Sequence, residues 1–256
     1  MSTNLIQLYN DTLYGSSNHD PEFSLIGGDS RDIFEKLLKT QPADWVYRTK
    51  KVKYERNRFG HRCKEIEQVG EDFILFAGCS LTEGLALALE DTFAYNLSKE
   101  LGLDYYNLGV VGSGPDMIAT NISMWFKNIR RIPKLVVIQW PSPDRFYKQV
   151  GDGITPMGPW IVSRYDMVDE KMKKQFKYDV VDDAAIKAFV SADEAGYFEH
   201  YSQVFKEVTL NYLSILNVPC VVFTEDDVER VDSGRDLIHP GIESNKNLVR
   251  FLRSKI

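Results

Sequence analysis

The sequence has few of the residue types that hold metal ions or cross-link a fold. Its 256 residues include only four histidines and three cysteines, Cys63, Cys79 and Cys220. An odd and widely spaced set of cysteines excludes a disulfide scaffold and indicates free thiols in a reducing compartment. Because no cysteines or histidines are paired at metal-ligand spacing, we expect no metal and no cofactor.

The sequence also lacks long apolar runs and an excess of basic charge. No stretch approaches the ~18 apolar residues that cross a bilayer, and no basic segment precedes an apolar one at the N-terminus. Acidic residues outnumber basic ones by 37 to 31, a formal net charge of −6, which disfavours binding to nucleic acid or anionic lipid. We therefore expect a cytoplasmic protein without a membrane or nucleic-acid partner, or a virion-associated one if a phage encodes it.

Two charged stretches depart from this balance. Residues 47–64 hold eight Lys or Arg and one acid, interleaved with aromatic residues, a pattern that would also suit single-stranded nucleic acid. A solvated edge hairpin explains the stretch more simply, because edge strands commonly carry lysine. Residues 225–229 have the acidic density of a metal site, but their pattern favours a solvated loop.

Apolar runs alternate with amphipathic stretches over the greater part of the chain. The predicted buried strands are residues 73–77, 105–108, 135–140 and 218–223. The predicted helices are residues 93–101, 115–131, 191–216 and 242–256. Gly102 is placed to end the first of these helices, and a capping box at residues 191–194 to begin the third. This alternation predicts an α/β fold of three layers, α/β/α, with a central and mostly parallel sheet.

Two segments fall outside this alternation. Residues 1–70 form an N-terminal extension that packs on the body, with a short helix capped by Ser30 and an extended edge hairpin over residues 46–66. Residues 71–256 form the body. It is interrupted at about residues 141–190 by an insertion rich in Pro, Gly and aromatic residues, which we interpret as a lid.

Ser80 follows the first predicted strand. In a parallel sheet, active sites lie beyond the carboxyl ends of the strands, which is where this residue stands. It stands between Gly78 and Gly84 in a strand-to-helix turn. Such a turn exposes the hydroxyl and aims backbone N–H groups, including that of the serine itself, at the group attacked. A serine that merely caps the next helix explains the motif equally well.

Two further loops carry candidate residues. After the second strand, the glycines of residues 107–114 follow G-x-x-G-x-G rather than the dinucleotide fingerprint, and Gly112 can offer a backbone donor. Near the C-terminus, Asp236 precedes His239 by three residues. At this spacing the carboxylate can reach Nδ1–H of the imidazole, which fixes the tautomer and leaves Nε2 to act as a base.

These loops together resemble a known family. The matching residues are Gly78-Cys79-Ser80-Leu81, Asn107-Leu108-Gly109 with Gly112, and Asp236-x-x-His239-Pro240. In order and placement they resemble the SGNH, or GDSL-type, serine hydrolases, over roughly residues 45–256. The resemblance implies that family's flavodoxin-like fold. It also implies Ser80 as nucleophile, His239 as general base and then acid, and Asp236 as the group that orients His239.

The resemblance further implies an oxyanion hole lined by the N–H groups of Ser80 and Gly112. The third block of the family departs from its pattern, because Pro143 stands where an asparagine normally donates to the oxyanion. A lost donor of this kind costs about 3–4 kcal/mol of transition-state stabilisation. Ser142, Gln139 and Arg145 are the candidate replacements, and Ser142 is included in the predicted oxyanion hole.

A smaller departure is Cys79, which stands where the family usually has an aspartate. Cys79 also competes with Ser80 as a nucleophile. Adjacent residues of a turn point in different directions, and the family resemblance favours the serine.

The resemblance implies a serine esterase that hydrolyses a small acyl ester through an acyl-Ser80 intermediate. Its small-molecule or carbohydrate substrate would be an O-acetyl sugar, as for family members that lack a leader. One alternative is a weakly active or inactive binding module with the same fold, which Pro143 favours. Another is an O-acyltransferase that passes the acyl group to a sugar.

Overall fold

The computed structural model describes residues 21–24, 28–150, 153–159, 189 and 191–256. Its strands are β1 (Phe73–Ala77), β2 (Asp104–Asn107), β3 (Leu135–Gln139), β4 (Phe146–Val150), β5 (Gly153–Met157) and β6 (Cys220–Phe223). Its helices are α1 (Arg31–Thr40), α2 (Ser80–Glu83), α3 (Phe93–Leu101), α4 (Pro115–Met124), α5 (Tyr197–Ile215) and α6 (Ile242–Arg253). Single 3-10 turns lie at Val46–Arg48, Ile66–Gln68, Leu89–Asp91 and Glu225–Asp227, and a π-helical turn at Trp125–Ile129 continues α4.

Four strands form the central sheet in the order β2-β1-β3-β6. All three pairings are parallel, with Leu75 opposite Tyr106 on one side and Val136 on the other. Every residue of β1 and β3 is buried, as their unbroken apolar runs predict. The four predicted strands and the parallel sheet are therefore confirmed.

Helices cover both faces of the sheet. Alternate side chains of β1 point to opposite faces, as the pleat requires. One face packs against α4 and α5 through residues that include Ile118, Ile122, Trp125 and Leu213. The other packs against α3 and α6 through Phe93, Leu97, Leu248 and Leu252. This arrangement confirms the three-layer α/β/α fold.

Helix starts and ends follow the predicted caps in two of three cases. The Ser30 side chain accepts the N–H of Ile33 at 3.4 Å and caps α1, and Gly102, with a φ of +66°, ends α3. The capping box at residues 191–194 does not begin α5. It forms a separate helical turn, and α5 begins after Gly196, whose φ of +69° interrupts the helix.

The edge hairpin predicted over residues 46–66 does not form, since the structure has no β-strand in this range. In this segment, side chains rather than a neighbouring strand form hydrogen bonds with backbone carbonyl groups. Arg62 donates to the carbonyl of Lys53 at 2.7 Å, and the side chain of Asn57 donates to the carbonyl of Lys64 at 3.0 Å. These local bonds compete with a β-ladder for the same backbone groups.

The same segment nevertheless packs on the body. Its buried residues join those that follow α2 and β2 in one apolar cluster of Tyr47, Val52, Tyr54, Leu85, Leu87 and Val111. Its basic residues are held by carboxylates of the chain, in ion pairs that include Lys50–Asp91, Arg56–Glu83, Arg58–Glu67 and Lys64–Asp104.

The predicted insertion begins with an antiparallel hairpin, β4 and β5, which the sequence did not predict. Asp116 of α4 ties the hairpin to the body, because its carboxylate accepts the N–H of Tyr147 at 3.0 Å and the hydroxyl of Tyr201 at 3.1 Å. Residues 151–152, 160–188 and 190 of the insertion, and with them most of the predicted lid, lie outside the described residues. No helix in the described part of the chain combines the length and apolar character required to span a bilayer.

Candidate active site

Ser80 is the first residue of α2 and lies three residues beyond Ala77, the last residue of β1. Glycine is required at position 78, because a Cβ there would lie 2.1 Å from Oγ1 of Thr82. The first N–H groups of a helix have no intrahelical acceptor, which leaves that of Ser80 without one in α2. The strand-to-helix turn predicted from the sequence is therefore present.

The loop of residues 232–241, between β6 and α6, carries Asp236 and His239. A backbone hydrogen bond from Gly234 to the carbonyl of His239, 2.8 Å long, closes the base of this loop. The carboxylate of Asp232 accepts two N–H groups in the first turn of α6, at 3.0 and 2.8 Å, and so caps that helix. These bonds fix the loop at both ends.

The structure brings Ser80, His239 and Asp236 together. Oγ of Ser80 lies 2.8 Å from Nε2 of His239, although 159 residues separate them in the chain. Nδ1 of His239 lies 2.6 Å from Oδ2 of Asp236. The histidine thus contacts the serine through one ring nitrogen and the carboxylate through the other, in the arrangement that the two motifs predict.

The Asp236 side chain is fully buried. Burial alone would raise the pKa of this carboxyl group, but the hydrogen bond and charge of His239 lower it. The backbone N–H groups of Ile238 and His239 add bonds of 2.9 and 3.0 Å to Oδ1. The net effect is a pKa below the ordinary value. An ionised carboxylate can orient the imidazole and stabilise its protonated form.

The loop that contains Gly112 lies against the Ser80 turn. The N–H of Val110 donates to the carbonyl of Gly78 at 3.1 Å, and the N–H of Val111 donates to the side chain of Glu83 at 3.0 Å. Gly112 itself has a φ of +78°, a left-handed conformation that favours glycine. The loop is therefore placed beside the turn that carries Ser80.

The three residues considered as replacements for the missing asparagine lie in different surroundings. The hydroxyl of Ser142 is exposed and donates to Asp144. Gln139 is buried at the end of β3, and its side-chain oxygen accepts the N–H of Cys79 at 2.8 Å. Arg145 lines the same cavity as Ser80. Of the three, only Arg145 is among the residues that line the cavity with Ser80.

This cavity has a volume of about 320 Å³ and opens over Ser80 and His239. Its apolar lining includes Leu81, Phe223, Val228 and Leu248, and its charged lining includes Arg145, Glu225, Asp226, Glu229 and Arg230. The acidic run of residues 225–229 is largely exposed, as predicted for a solvated loop, and its residues Glu225, Asp226 and Glu229 also form part of the cavity wall. Its place directly after β6, at the carboxyl edge of the sheet, is the sequence signal that would have indicated this.

The described residues contain no group of three or more His, Cys, Asp or Glu side chains arranged to hold a metal ion. The three cysteines are free thiols, and burial raises the pKa of Cys63 and Cys220 to about 12.

No protein-family model and no curated protein matches the sequence. Among solved structures, the chain is similar to a protein assigned to the lipolytic G-D-S-L family from Desulfitobacterium hafniense DCB-2, at 15% identity and a TM-score of 0.35, with 72% of this chain and 99% of that chain covered. The acetyl xylan esterase Est2A from Butyrivibrio proteoclasticus gives 14% identity and a TM-score of 0.38, with 73% and 64% covered.

A catalytic mutant of the acetylxylan esterase Axe2 from Geobacillus stearothermophilus gives 16% identity and a TM-score of 0.33, with 73% of this chain and 95% of that chain covered. The structural neighbours are thus GDSL-type lipolytic proteins and carbohydrate esterases, the family that the three sequence motifs resemble. At these identities and TM-scores the likeness carries no argument about function, which depends on the geometry of the site itself.

Proposed function

We propose that this chain is a serine esterase that cleaves a small acyl ester through an acyl-Ser80 intermediate. One observation carries the proposal: the hydrogen-bonded series from Ser80 through His239 to the buried Asp236, with contacts of 2.8 and 2.6 Å. A serine hydroxyl is a weak nucleophile unless an adjacent base takes its proton. This series supplies the base and the carboxylate that supports it.

The reaction has two halves. Oγ of Ser80 attacks the carbonyl carbon of the ester while its proton passes to Nε2 of His239, and Asp236 stabilises the resulting imidazolium. The tetrahedral intermediate then collapses, and the departing alcohol takes the proton from His239. In the second half, water gives a proton to His239 and attacks the acyl group, and Ser80 leaves with that proton.

The negative oxygen of each tetrahedral intermediate needs donors that are already in place. We assign this role to the N–H groups of Ser80 and Gly112, supported by the packing of the Gly112 loop against the nucleophile turn. Arg145, which shares the cavity with Ser80, is our candidate for the donor that Pro143 cannot supply. Ser142 is the weaker candidate, because its hydroxyl donates to Asp144.

The cavity favours a polar alcohol over a lipid. Three carboxylates and two guanidinium groups line it, which are the groups that bind hydroxyls of a carbohydrate, whereas a long acyl chain needs a continuous apolar surface. A volume of about 320 Å³ suits a small acyl group with part of a sugar. An O-acetyl carbohydrate is therefore the substrate class that we propose.

The test combines hydrolysis of p-nitrophenyl acetate with labelling by a fluorophosphonate probe. Wild type should hydrolyse the ester and become labelled at Ser80, whereas Ser80→Ala should do neither. Ser98→Ala is the matched control, because Ser98 is a buried serine whose hydroxyl donates to its own helix at 2.7 Å. Cys79→Ala should still be labelled, which separates the serine from the neighbouring thiol.

The remaining outcomes distinguish the alternatives. A wild type that is neither labelled nor active would contradict the proposal and favour a binding module. Transfer of acetyl to an added sugar, rather than to water, would favour an acyltransferase. Faster hydrolysis of p-nitrophenyl palmitate than of the acetate would contradict the small acyl group and the polar substrate class.

A further inference from the structure

A closed ring of hydrogen bonds joins the loop of Asp236 and His239 to the loop that follows Ser80. The guanidinium of Arg235 donates to both carboxylate oxygens of Asp29, at 2.8 and 2.9 Å. The hydroxyl of Tyr54 donates to the same carboxylate and accepts the N–H of Ala86 at 2.9 Å. The N–H of Arg235 donates to the carbonyl of Ala86 at 2.9 Å, which closes the ring.

Two residues of the ring, Arg235 and Ala86, are connected to the reacting groups through the residue next to them in the chain. Arg235 immediately precedes Asp236. Ala86 follows Leu85, whose N–H donates to the carbonyl of Ser80 at 3.0 Å. The ring is therefore connected to both partners of the hydrogen bond between Ser80 and His239.

The ring is buried and rigidly packed. Its members Asp29, Tyr54, Ala86 and Arg235 are 1%, 3%, 0% and 3% exposed. The Arg235 guanidinium lies 4.5 Å from the ring centroid of Phe23 and 5.2 Å from that of Phe34. Burial, followed by the charge of Asp29, raises the pKa of Tyr54, so that its hydroxyl stays protonated and donates.

A second contact comes from the same part of the N-terminal extension. Gly28, with a φ of +99°, lies against Ile238 of the loop, where a Cβ would be 3.1 Å from Cδ1 of Ile238. Two neighbouring residues, Gly28 and Asp29, thus contact the loop of residues 232–241 independently. The extension is placed to determine where this loop lies.

We propose that Asp29 is a positioning residue, which holds His239 at hydrogen-bonding distance from Ser80 through Arg235 and Ala86. The proposal rests on the proposed function, because it gives the N-terminal extension a part in the chemistry at Ser80. Asp29 lies outside residues 45–256, over which the chain resembles the SGNH hydrolases. The extension therefore contributes to the site something that the three motifs do not contain.

A positioning role and a purely structural role predict different results. Removal of either charge from a buried ion pair destabilises the fold in both cases, since the other charge is left without a partner. Only a positioning role also slows the chemistry in molecules that remain folded. A displacement of reacting atoms by about 1 Å can cost on the order of 100-fold in rate.

The experiment compares full-length Asp29→Asn and Arg235→Lys with wild type, each at a temperature where circular dichroism shows it to be folded. We expect fluorophosphonate labelling of Ser80 to slow at least tenfold in both variants, in line with the loss of geometry. We also expect the downfield proton resonance of His239 Nδ1–H, which reports its bond to Asp236, to shift or broaden.

Arg131→Lys is the matched control. Arg131 also donates to buried backbone, at 2.8 Å to the carbonyls of Ile66 and Val69, and its guanidinium lies 4.9 Å from the ring centroid of Phe73. It lies away from both loops of the site. This variant should lose stability but keep the labelling rate and the proton resonance of wild type.

Tyr54→Phe keeps the experiment decisive if Asp29→Asn and Arg235→Lys do not fold. It removes one hydroxyl from the ring and leaves the ion pair in place, and it should slow labelling to a smaller extent. Wild-type labelling rates and an unchanged resonance in the folded variants would overturn the proposal. If wild type itself is not labelled, the proposed function fails, and the proton resonance alone tests the positioning role. A shift confined to the ring variants would then support that role. An unchanged resonance in those variants would overturn it.

Discussion

The surroundings of Ser80 and His239 determine what their hydrogen bond can do. Ser80 is 7% exposed and the His239 side chain 16%, so water is largely excluded while the cavity leaves one approach open. In such surroundings a buried carboxylate stabilises an imidazolium more strongly than it would in water. Asp236, with its lowered pKa, stays ionised throughout the neutral range and can supply this stabilisation.

Arg145 provides the sharpest prediction at the scale of single residues. If its guanidinium replaces the donor that is absent at Pro143, Arg145→Met should lower kcat for p-nitrophenyl acetate by about 100- to 1000-fold, the usual cost of one oxyanion donor. KM should change little, because the lost interaction is made in the transition state. Steady-state kinetics of the purified variant measure both constants.

Glu229→Gln serves as the control for this prediction. Glu229 lines the same cavity, but a carboxylate cannot stabilise a negative oxygen. This variant should keep kcat within a few-fold of wild type. A loss confined to KM in Arg145→Met would assign Arg145 to substrate binding and leave the missing donor to another group.

At the scale of elements, α2 is held between the carboxyl end of β1 and the loop after β2. Gly109 in this loop permits the close approach, because a Cβ there would lie 2.5 Å from the backbone nitrogen of Glu83. Gly109→Ala should displace α2 together with Ser80. We expect a loss of about 1–3 kcal/mol in the free energy of unfolding and slower fluorophosphonate labelling.

Gly70→Ala is the matched control for the displacement of α2. A Cβ at Gly70 would meet no atom closer than 3.7 Å, and its nearest neighbours belong to Asp104. Urea denaturation and labelling of this variant should match wild type. Labelling of Gly109→Ala at the wild-type rate would show that the position of α2 does not depend on this contact.

Local signals made part of the fold predictable. The unbroken apolar runs of β1 and β3 are typical of strands buried on both faces, and glycine at position 102 ends α3 because it adopts a left-handed conformation at no steric cost. The contact between Asp236 and His239 was also local, because three residues separate them. The contact between His239 and Ser80 could be predicted from one rule, that the loops following parallel strands lie at the same edge of the sheet.

The interactions that sequence reasoning missed are long-range or irregular. Asp29 and Arg235 are 206 residues apart, and no spacing rule connects them. Residues 46–66 carry β-forming side chains, yet Asn57 and Arg62 occupy the backbone groups that a ladder would use. The β4–β5 hairpin has Pro156 within its second strand, a residue that normally argues against a strand.

At the scale of the whole molecule, a buried polar cluster joins the N-terminal extension to the central sheet. Tyr106 of β2 accepts the side-chain N–H of Asn57 at 3.1 Å, and its hydroxyl lies 3.0 Å from Nδ1 of His61. Burial, with a smaller contribution from the charge of Arg56, lowers the pKa of His61 to about 3. The folded chain therefore keeps this imidazole neutral in mildly acidic solution, and the hydroxyl of Tyr106 can donate to it.

This cluster predicts how stability depends on pH. The unfolded chain binds a proton at His61 near pH 6.5, whereas the folded chain does so only near pH 3, so stability falls as the pH is lowered through this window. Between pH 7 and pH 4.5 the expected loss from His61 is about 2 to 3 kcal/mol. Urea denaturation of His61→Gln should show a correspondingly smaller loss over that interval than wild type, whatever its absolute stability.

His200→Gln, on the exposed surface of α5, should keep the wild-type dependence. If His61→Gln loses as much stability as wild type, the acid sensitivity of the fold arises elsewhere, and the cluster is not the proton-linked contact between the extension and the sheet.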